Sequence, residues 1–445
     1  MNDGRLVAYG EHQMVLTHWG LLGPESLPSS RRTRTLGLGA AVRAFNNLAV
    51  PGLGGIWYAK QPILALLGVR VGELARAKGG TAANIQVANA IEALACRLAF
   101  QQNGWSQDAR LRGRQKLRER TDFRFRSARS PSFYVSQPMR TASVQTLPAL
   151  GLVDATTTRF NGFRCTEAGQ ALLDAALRGS TPYKRSLVDH LALWVLGQDD
   201  RVNTDALAQG LSPLRALPAP ARELLRDRLL RIGHGETSDD RDRRRDALDW
   251  VESRRSDPSS PASWETRPDA IRVDEHWLDL RAGARFFLAR EAALTVLDAV
   301  EARVPEQRGR PLDASLLAEV AGHMETLRTA AQAFLDNGHP NAMARTFCQE
   351  CVTPESGALL TSLIARDGRV LRLLGGLVCP GPAFVGVDEA GQDGAAETDE
   401  VDTPVEGEAW PDGVSQRIPN LFLLNLDLDD ALGAWLDRED GEADQ

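Results

Sequence analysis

The chain has 445 residues, 43% of them apolar, and its 52 basic and 59 acidic side chains leave a formal net charge of −7. That length predicts roughly two to four domains. With no charged-then-apolar leader and no run of about 18 apolar residues, neither a signal peptide nor a membrane span is expected. The five cysteines, an odd and sparse set, fit a reducing cytoplasm better than a disulfide framework.

Basic side chains are almost all arginine. Lys60, Lys78, Lys116 and Lys184 are the only lysines, and the other 48 of 52 basic residues are arginine, as a GC-rich bacterial genome would produce. No lysine stands in a G-x-x-x-x-G-K-[ST] phosphate loop, which excludes a nucleotide-hydrolysing motor of that type. Charge is also segregated. Residues 388–445 carry 18 acidic and 2 basic side chains, or −16, so residues 1–387 carry +9. A basic body with an acidic tail suits a protein that faces nucleic acid.

Residues 1–60 are rich in Gly and Pro, and GLGAAVRAFNN and VPGLGGIW read as turns; the glycine spacing fails the dinucleotide fingerprint. Helical periodicity begins near Gln61 and stops at Gly79-Gly80. Asn84 is expected to cap the next helix, whose apolar face is Ile85, Ala88, Ile91, Leu94, Ala95 and Leu98. The densest positive cluster follows, with Arg110, Arg112, Arg114, Lys116, Arg118, Arg120, Arg124, Arg126 and Arg129 opposed only by Glu119 and Asp122. Phe123 and Phe125 interleave with it, which suits base stacking or simple anchoring.

Met139–Leu150 reads as a helix that stops at Gly151. Leu152 and Val153 start a short strand, ATTTRFNG is a polar turn containing Asn161-Gly162, and Phe163–Thr166 returns as a second strand. Thr166 is placed to cap EAGQALLDAAL. Helix, strand, turn, strand, helix is the order of a winged helix-turn-helix. The run LPALGLVDATTTRFNGFRCTEAGQALLDA resembles the second half of bacterial winged-helix DNA-binding domains, over about residues 130–178.

The resemblance implies that the helix before the wing lies in a major groove and presents Arg140, Thr141, Ser143, Gln145 and Thr146. Wing residues Arg159, Asn161 and Arg164 would then meet the backbone or minor groove. Leu147, Leu150, Leu152, Val153, Phe163 and Leu172 belong to the core whichever surface the segment presents. Pro148 falls in the last turn of that helix, and only Arg140 and Gln145 are base readers, which points to backbone binding or protein docking.

Three short helices are expected in Ser186–Ile232 as plain packing, and the Asp-, Arg-, Ser- and Pro-rich stretch 233–270 as a linker. Long helices follow near Asp279–Val304 and Asp313–Asp336, the second stopped by DNGHP. Residues 388–412 are expected to be disordered. NLFLLNLDLDDALGAWL in the tail is either a partner-docking helix, over about 414–437, or a segment that folds back. The acids between are also a candidate mask for the arginine cluster.

No motif marks an enzyme. There is no H-E-x-x-H and no G-x-S-x-G, and His12, His18, His190 and His323 are scattered. Asp269, Asp274, Glu275 and His276 read as a solvated turn. His339, Cys348 and Cys351 with the distant Cys379 would complete a zinc site only by improvisation, because a second Cys pair is missing. Buried or free thiols are expected, as are core positions for Cys96 and Cys165, and no metal or cofactor.

The fold expected is therefore mainly α, multi-helical, with an embedded winged helix-turn-helix and a disordered acidic C-terminal segment. Its units are an irregular and helical N-terminal region (1–80), a winged-helix domain with the basic cluster (81–180), a small helical unit (181–232), the linker (233–270), a helical domain (271–387), the acidic segment (388–412) and a C-terminal motif (413–445). The function expected is a non-enzymatic subunit of a bacterial multiprotein complex, in genome defence or DNA processing. It would grip double-stranded DNA by its backbone through Arg110, Arg112, Arg114, Lys116, Arg118, Arg120, Arg124, Arg126, Arg140, Gln145, Arg159, Asn161 and Arg164. The alternatives are a protein-docking scaffold that never touches DNA and a sequence-specific transcription regulator.

Overall fold

The computed structural model describes residues 34–256, 263–305, 308–384 and 410–443. Most of the expected acidic segment, residues 388–409, lies outside them, as does the stretch 1–33 with His12 and His18. The described chain is mainly helical. In the first half come α1 (Gly39–Ala49), α2 (Lys60–Ala77), α3 (Asn84–Gln102), α4 (Arg114–Glu119), α5 (Phe125–Ala128), α6 (Arg140–Ser143) and α7 (Thr146–Ala149). A hairpin of β1 (Val153–Ala155) and β2 (Phe163–Cys165) follows, then α8 (Glu167–Ala176), α9 (Leu187–Val195), α10 (Asp205–Leu211), α11 (Ala219–Leu229) and α12 (Ser238–Ser256). The second half holds α13 (Asp274–Glu301), β3 (Arg310–Pro311), α14 (Ala314–Glu319), α15 (Ala321–Asn337), α16 (Ala342–Cys351), α17 (Ser356–Asp367), β4 (Leu371–Leu374) and β5 (Leu377–Pro380). It closes with α18 (Arg417–Leu428) and α19 (Leu432–Ala443).

Two apolar cores organise these elements. The first is centred on α2, whose ILALLGV run is apolar all round and is therefore buried all round. It packs against α3, α6, α8, α9 and β2. The approach to α3 is so close that a Cβ on Gly68 would lie 2.4 Å from the Ala88 methyl. α2 ends as expected at the glycine pair: Gly79 has φ +91°, and the amide of Gly80 turns back to the Ala75 carbonyl. Because one core spans residues 49–280 and 410–436, the units expected at 81–180 and 181–232 share their interior with α2 and the C-terminal helices.

The expected linker contains a 19-residue helix, α12. Its arginine-rich surface masks an inward face of Ala247, Leu248, Trp250 and Val251. Arg244 is itself fully buried, satisfied by Glu236 and by the carbonyls of Pro51, Leu229 and Arg231. A high charge count reads as solvation only when the charges face water, and here several do not.

α13 begins five residues before the expected start, with Asp274 and Glu275 in its first turn, where acids complement the helix dipole. The helix expected at Asp313–Asp336 is divided at the buried Val320 into α14 and α15. DNGHP stops α15 as expected, with Gly338 left-handed at φ +75°. α13 to α17 form the second core, joined by Phe45 of α1, whose ring stacks on Phe286 at 5.1 Å. Region 271–387, expected to be helical throughout, also contains a three-stranded antiparallel sheet in the order β3-β5-β4, with Gly375 and Gly376 turning the β4–β5 hairpin.

The C-terminal motif folds back. α18 is buried on every face against α12, α11 and α1, so it offers no free face to a partner's groove. Trp410 is part of the same packing, against Trp250 and Phe422.

The junction of α12 and α13 carries a pH signature. The Asp246 carboxylate accepts the amides of Arg272 and Val273, both at 2.9 Å, and the Arg272 Nε at 3.1 Å. Burial alone would raise its pKa; the nearby His276 ring, 3.8 Å away, and the hydrogen bonds from Val273 and Arg272 outweigh burial and hold it at about 2. The folded value is below the usual ~3.9, so Asp246 stabilises the fold above about pH 4 and loses that effect as pH falls toward 2. Asp246→Asn is expected to lower stability by about 2–3 kcal/mol at pH 7 and by nothing measurable near pH 2. Urea melts of both proteins across that range check it; a gap that does not narrow below pH 4 contradicts it.

Candidate nucleic-acid interface

The hairpin is present where the sequence placed it. β1 and β2 are antiparallel, with Val153 opposite Cys165 and Ala155 opposite Phe163. Thr166 caps α8 as expected, its hydroxyl accepting the Gly169 amide at 3.1 Å. Gly169 has no room for a side chain, since a Cβ would sit 2.2 Å from the Leu152 carbonyl oxygen. Leu147, Leu150, Leu152, Val153, Phe163 and Leu172 are all buried.

The polar residues of the hairpin loop have other work. The Asn161 side chain accepts the Ile85 amide at 3.0 Å, so it caps α3. Asn84, expected to be that cap, lies inside the helix. Its Nδ2 donates to the carbonyls of Phe160 and Phe163 and pins the loop down. Arg159 and Arg164 remain exposed.

The helix expected at Met139–Leu150 is two single turns, α6 and α7, and it faces inward. Ser143 and Thr146 are fully buried, and the Thr146 hydroxyl donates to the Leu53 carbonyl at 2.6 Å. Gln145 accepts from Arg417 of α18. Arg140 donates to Asn89 at 2.8 Å and lies 5.1 Å from the Phe160 ring. The amides of Met139 and Arg140 are taken by the buried carboxyl of Glu92. What covers this segment is the turn VPGLGGIW. A Cβ on Gly54 would lie 2.4 Å from the Ala142 carbonyl oxygen, and the Gly55 amide donates to that oxygen at 3.0 Å. The glycines are there to let one backbone lie on another. Of the five polar residues assigned to groove reading, only Thr141 is both exposed and uncommitted to a distant element.

The arginine cluster divides. Arg112 is buried and donates to the Gln137 carbonyl, and Arg110 pairs with Asp108 at 2.8 Å. Arg120 donates to the Ser132 carbonyl, with its guanidinium 5.3 Å from the Phe133 ring. Arg124 pairs with Asp122, whose carboxyl is held well below the usual range, chiefly by that guanidinium. Phe123 and Phe125 are anchors: both are buried, against Phe133 and Trp194. Lys116, Arg118, Arg126 and Arg129 are exposed, and Arg114 is half-buried.

No protein-family model matches this chain, and no curated protein or solved structure matches it either.

The candidate interface therefore rests on its own geometry. Residues 60–231, the helical unit that carries the cluster, hold 26 basic against 14 acidic side chains, or +12 in a chain of net charge −7. Two clefts open on this unit. One, of about 490 Å³, lies between the turn after α2, α5 and the end of α9, and includes Arg124, Arg126 and Arg129. The other, of about 500 Å³, lies between the same turn and the hairpin loop, and includes Arg76 and Arg164. Arg76, Lys78 and Thr81 escaped the sequence reading. Their signal was the run RAKGGT, in which a helix stop also places two bases and a hydroxyl at the surface.

The metal candidates do not come together. Cys348 and Cys351 are fully buried in the second core, and burial pushes the Cys348 thiol up to about 12. His339 faces Asp279 at 3.2 Å. Among the described residues no group of three or more His, Cys, Asp or Glu side chains is placed to hold a metal ion. Asp274 pairs with Arg267, and His276 is buried with Nε2 2.9 Å from the Ala49 carbonyl oxygen. No helix among the described residues is long and apolar enough to cross a membrane.

Proposed function

We propose that this protein binds double-stranded DNA by its backbone through the basic helical unit, as a non-enzymatic subunit of a bacterial assembly whose partners supply any chemistry. The observation that carries the reading is the +12 charge of residues 60–231, together with exposed basic side chains that lack an internal partner. The guanidinium groups of Arg126, Arg129 and Arg164 make no hydrogen bond or ion pair among the described residues. Guanidinium groups left free in this way match phosphate oxygens. Among the described residues no Phe, Tyr or Trp is exposed, which favours a paired duplex over a single strand that needs aromatic platforms. The burial of Ser143 and Thr146 argues against base readout, and so against a sequence-specific regulator. The same burial favours the protein-docking scaffold as the second reading.

Fluorescence anisotropy on random-sequence duplexes across a salt series separates the two. Backbone binding predicts that log K falls linearly with log salt, by about 0.9 per phosphate neutralised. It also predicts less than about a tenfold preference among duplexes, well below the range of specific regulators. A folded protein with no salt-sensitive binding at 50 mM salt would turn the assignment to the scaffold.

A further inference from the structure

We infer that one strand's phosphodiester backbone lies in a continuous groove across the turn between α2 and α3, with Thr81 at its centre and the wing at one end. This rests on the duplex-binding reading and gives it a surface different from the helix that precedes a wing. The two clefts are not separate features, because Thr81 and Ala82 line both. The groove therefore runs from Arg126 and Arg129 on one side, over the turn, to Arg164 on the other. Those three guanidinium groups are exposed and make no ion pair among the described residues. Arg76 adds a fourth, partly engaged with the Ala82 carbonyl at 3.1 Å.

Two acids face the groove. Glu73 is occupied, accepting the Cys165 amide at 2.9 Å and lying 3.6 Å from Arg70. Asp200 is exposed opposite Arg124. The basic side chains outnumber these acids, and the floor is the apolar surface of Phe125, Val195 and Leu196. Close approach of another backbone needs bare Cα atoms, and the groove has them: a Cβ on Gly79 or Gly197 would meet no atom within 4 Å, so both stand open to solvent. The wing is fixed for the task by Asn84 and Asn161, which tie its loop to the start of α3 and hold Arg164 in register with the turn.

The test compares four full-length variants with the parent in the same anisotropy salt series, with thermal melts to establish that each is folded. Thr81→Glu places a negative charge at the centre of the groove and is expected to weaken duplex binding at least tenfold. Arg126→Ala with Arg129→Ala is expected to reduce the salt slope by about 2, and Arg164→Ala by about 1. Lys116→Ala with Arg118→Ala, on α4 and outside both clefts, is expected to change the slope by less than either. If the α4 variant moves the slope as far as the groove variants, or Thr81→Glu binds like the parent, the groove is wrong while duplex binding stands. If the parent itself shows no salt-sensitive binding, both fall together. Should Thr81→Glu fail to melt cooperatively, the arginine variants decide alone.

Discussion

Replacing Arg244 by alanine is expected to cost about 3–5 kcal/mol, a large share of a typical folding stability of about 5–15 kcal/mol. The guanidinium is fully buried where α12, the Pro51 turn and the end of α11 meet. Its Nη2 lies 2.9 Å from one Glu236 oxygen and 2.7 Å from the Arg231 carbonyl, and Nε donates to Leu229. Removal strands three backbone carbonyls and leaves the nearly buried Glu236 carboxylate with only the Gly233 amide. Breaking one partner of a buried pair is the costly case, because the remaining charge is neither solvated nor matched. Urea unfolding provides the measure: the midpoint should fall sharply with the slope unchanged. The double variant Arg244→Met with Glu236→Gln should recover part of the loss, since it leaves no orphaned charge. A single-variant loss below about 1 kcal/mol would mean that water reaches this pocket freely.

Removing residues 410–445 is expected to do more, abolishing cooperative folding of the basic unit. Ile418, Leu421, Leu424 and Leu428 are all buried in the first core, with Phe422 and Leu423 beside them. At roughly 1.5–3 kcal/mol for each large apolar side chain, their loss exceeds the whole net stability of an ordinary domain. Polar latches go with them. Asp427 accepts the Ala59 amide at 2.7 Å, at the start of α2, and Arg417 donates to Asn47, the Val50 carbonyl and Gln145. Burial pushes the Arg417 guanidinium down to about 10 because no acid accompanies it. The truncated chain should keep far-UV helicity, bind a hydrophobic dye and lose near-UV dichroism. A truncated chain that melts cooperatively within a few degrees of the parent would show that the C-terminal helices are an accessory.

What could be read directly from the sequence was local. The helical periodicity from Gln61, the glycine stop after it, the Thr166 cap and the apolar positions from Leu147 to Leu172 each follow from a few neighbouring residues. What could not be read was which way polar groups face, because distant segments decide it. Thr146 and Gln145 look like groove readers until Leu53 and Arg417 claim them, from 93 and 272 residues away. Arg112 and Arg244 look like surface charge for the same reason. The β4–β5 hairpin is a different case, for its signal was present: LRLLGGLVCP has a two-glycine turn between apolar runs, and Leu374 pairs with Leu377 across it. Helical context on both sides concealed it. Of the groove at Thr81 only the run RAKGGT was local; the rest is made by a second turn and a hairpin that meet it only in the fold.

α13 has a mechanical consequence. Its 28 residues make a rod of about 42 Å at 1.5 Å per residue. Trp277 and Leu280 are embedded in the first core, while Phe286, Val296 and Val300 are embedded in the second. A beam set into masonry at both ends transmits torque and does not bend at a joint. The two cores are therefore expected to turn as one body, because a single uninterrupted helix is anchored in both.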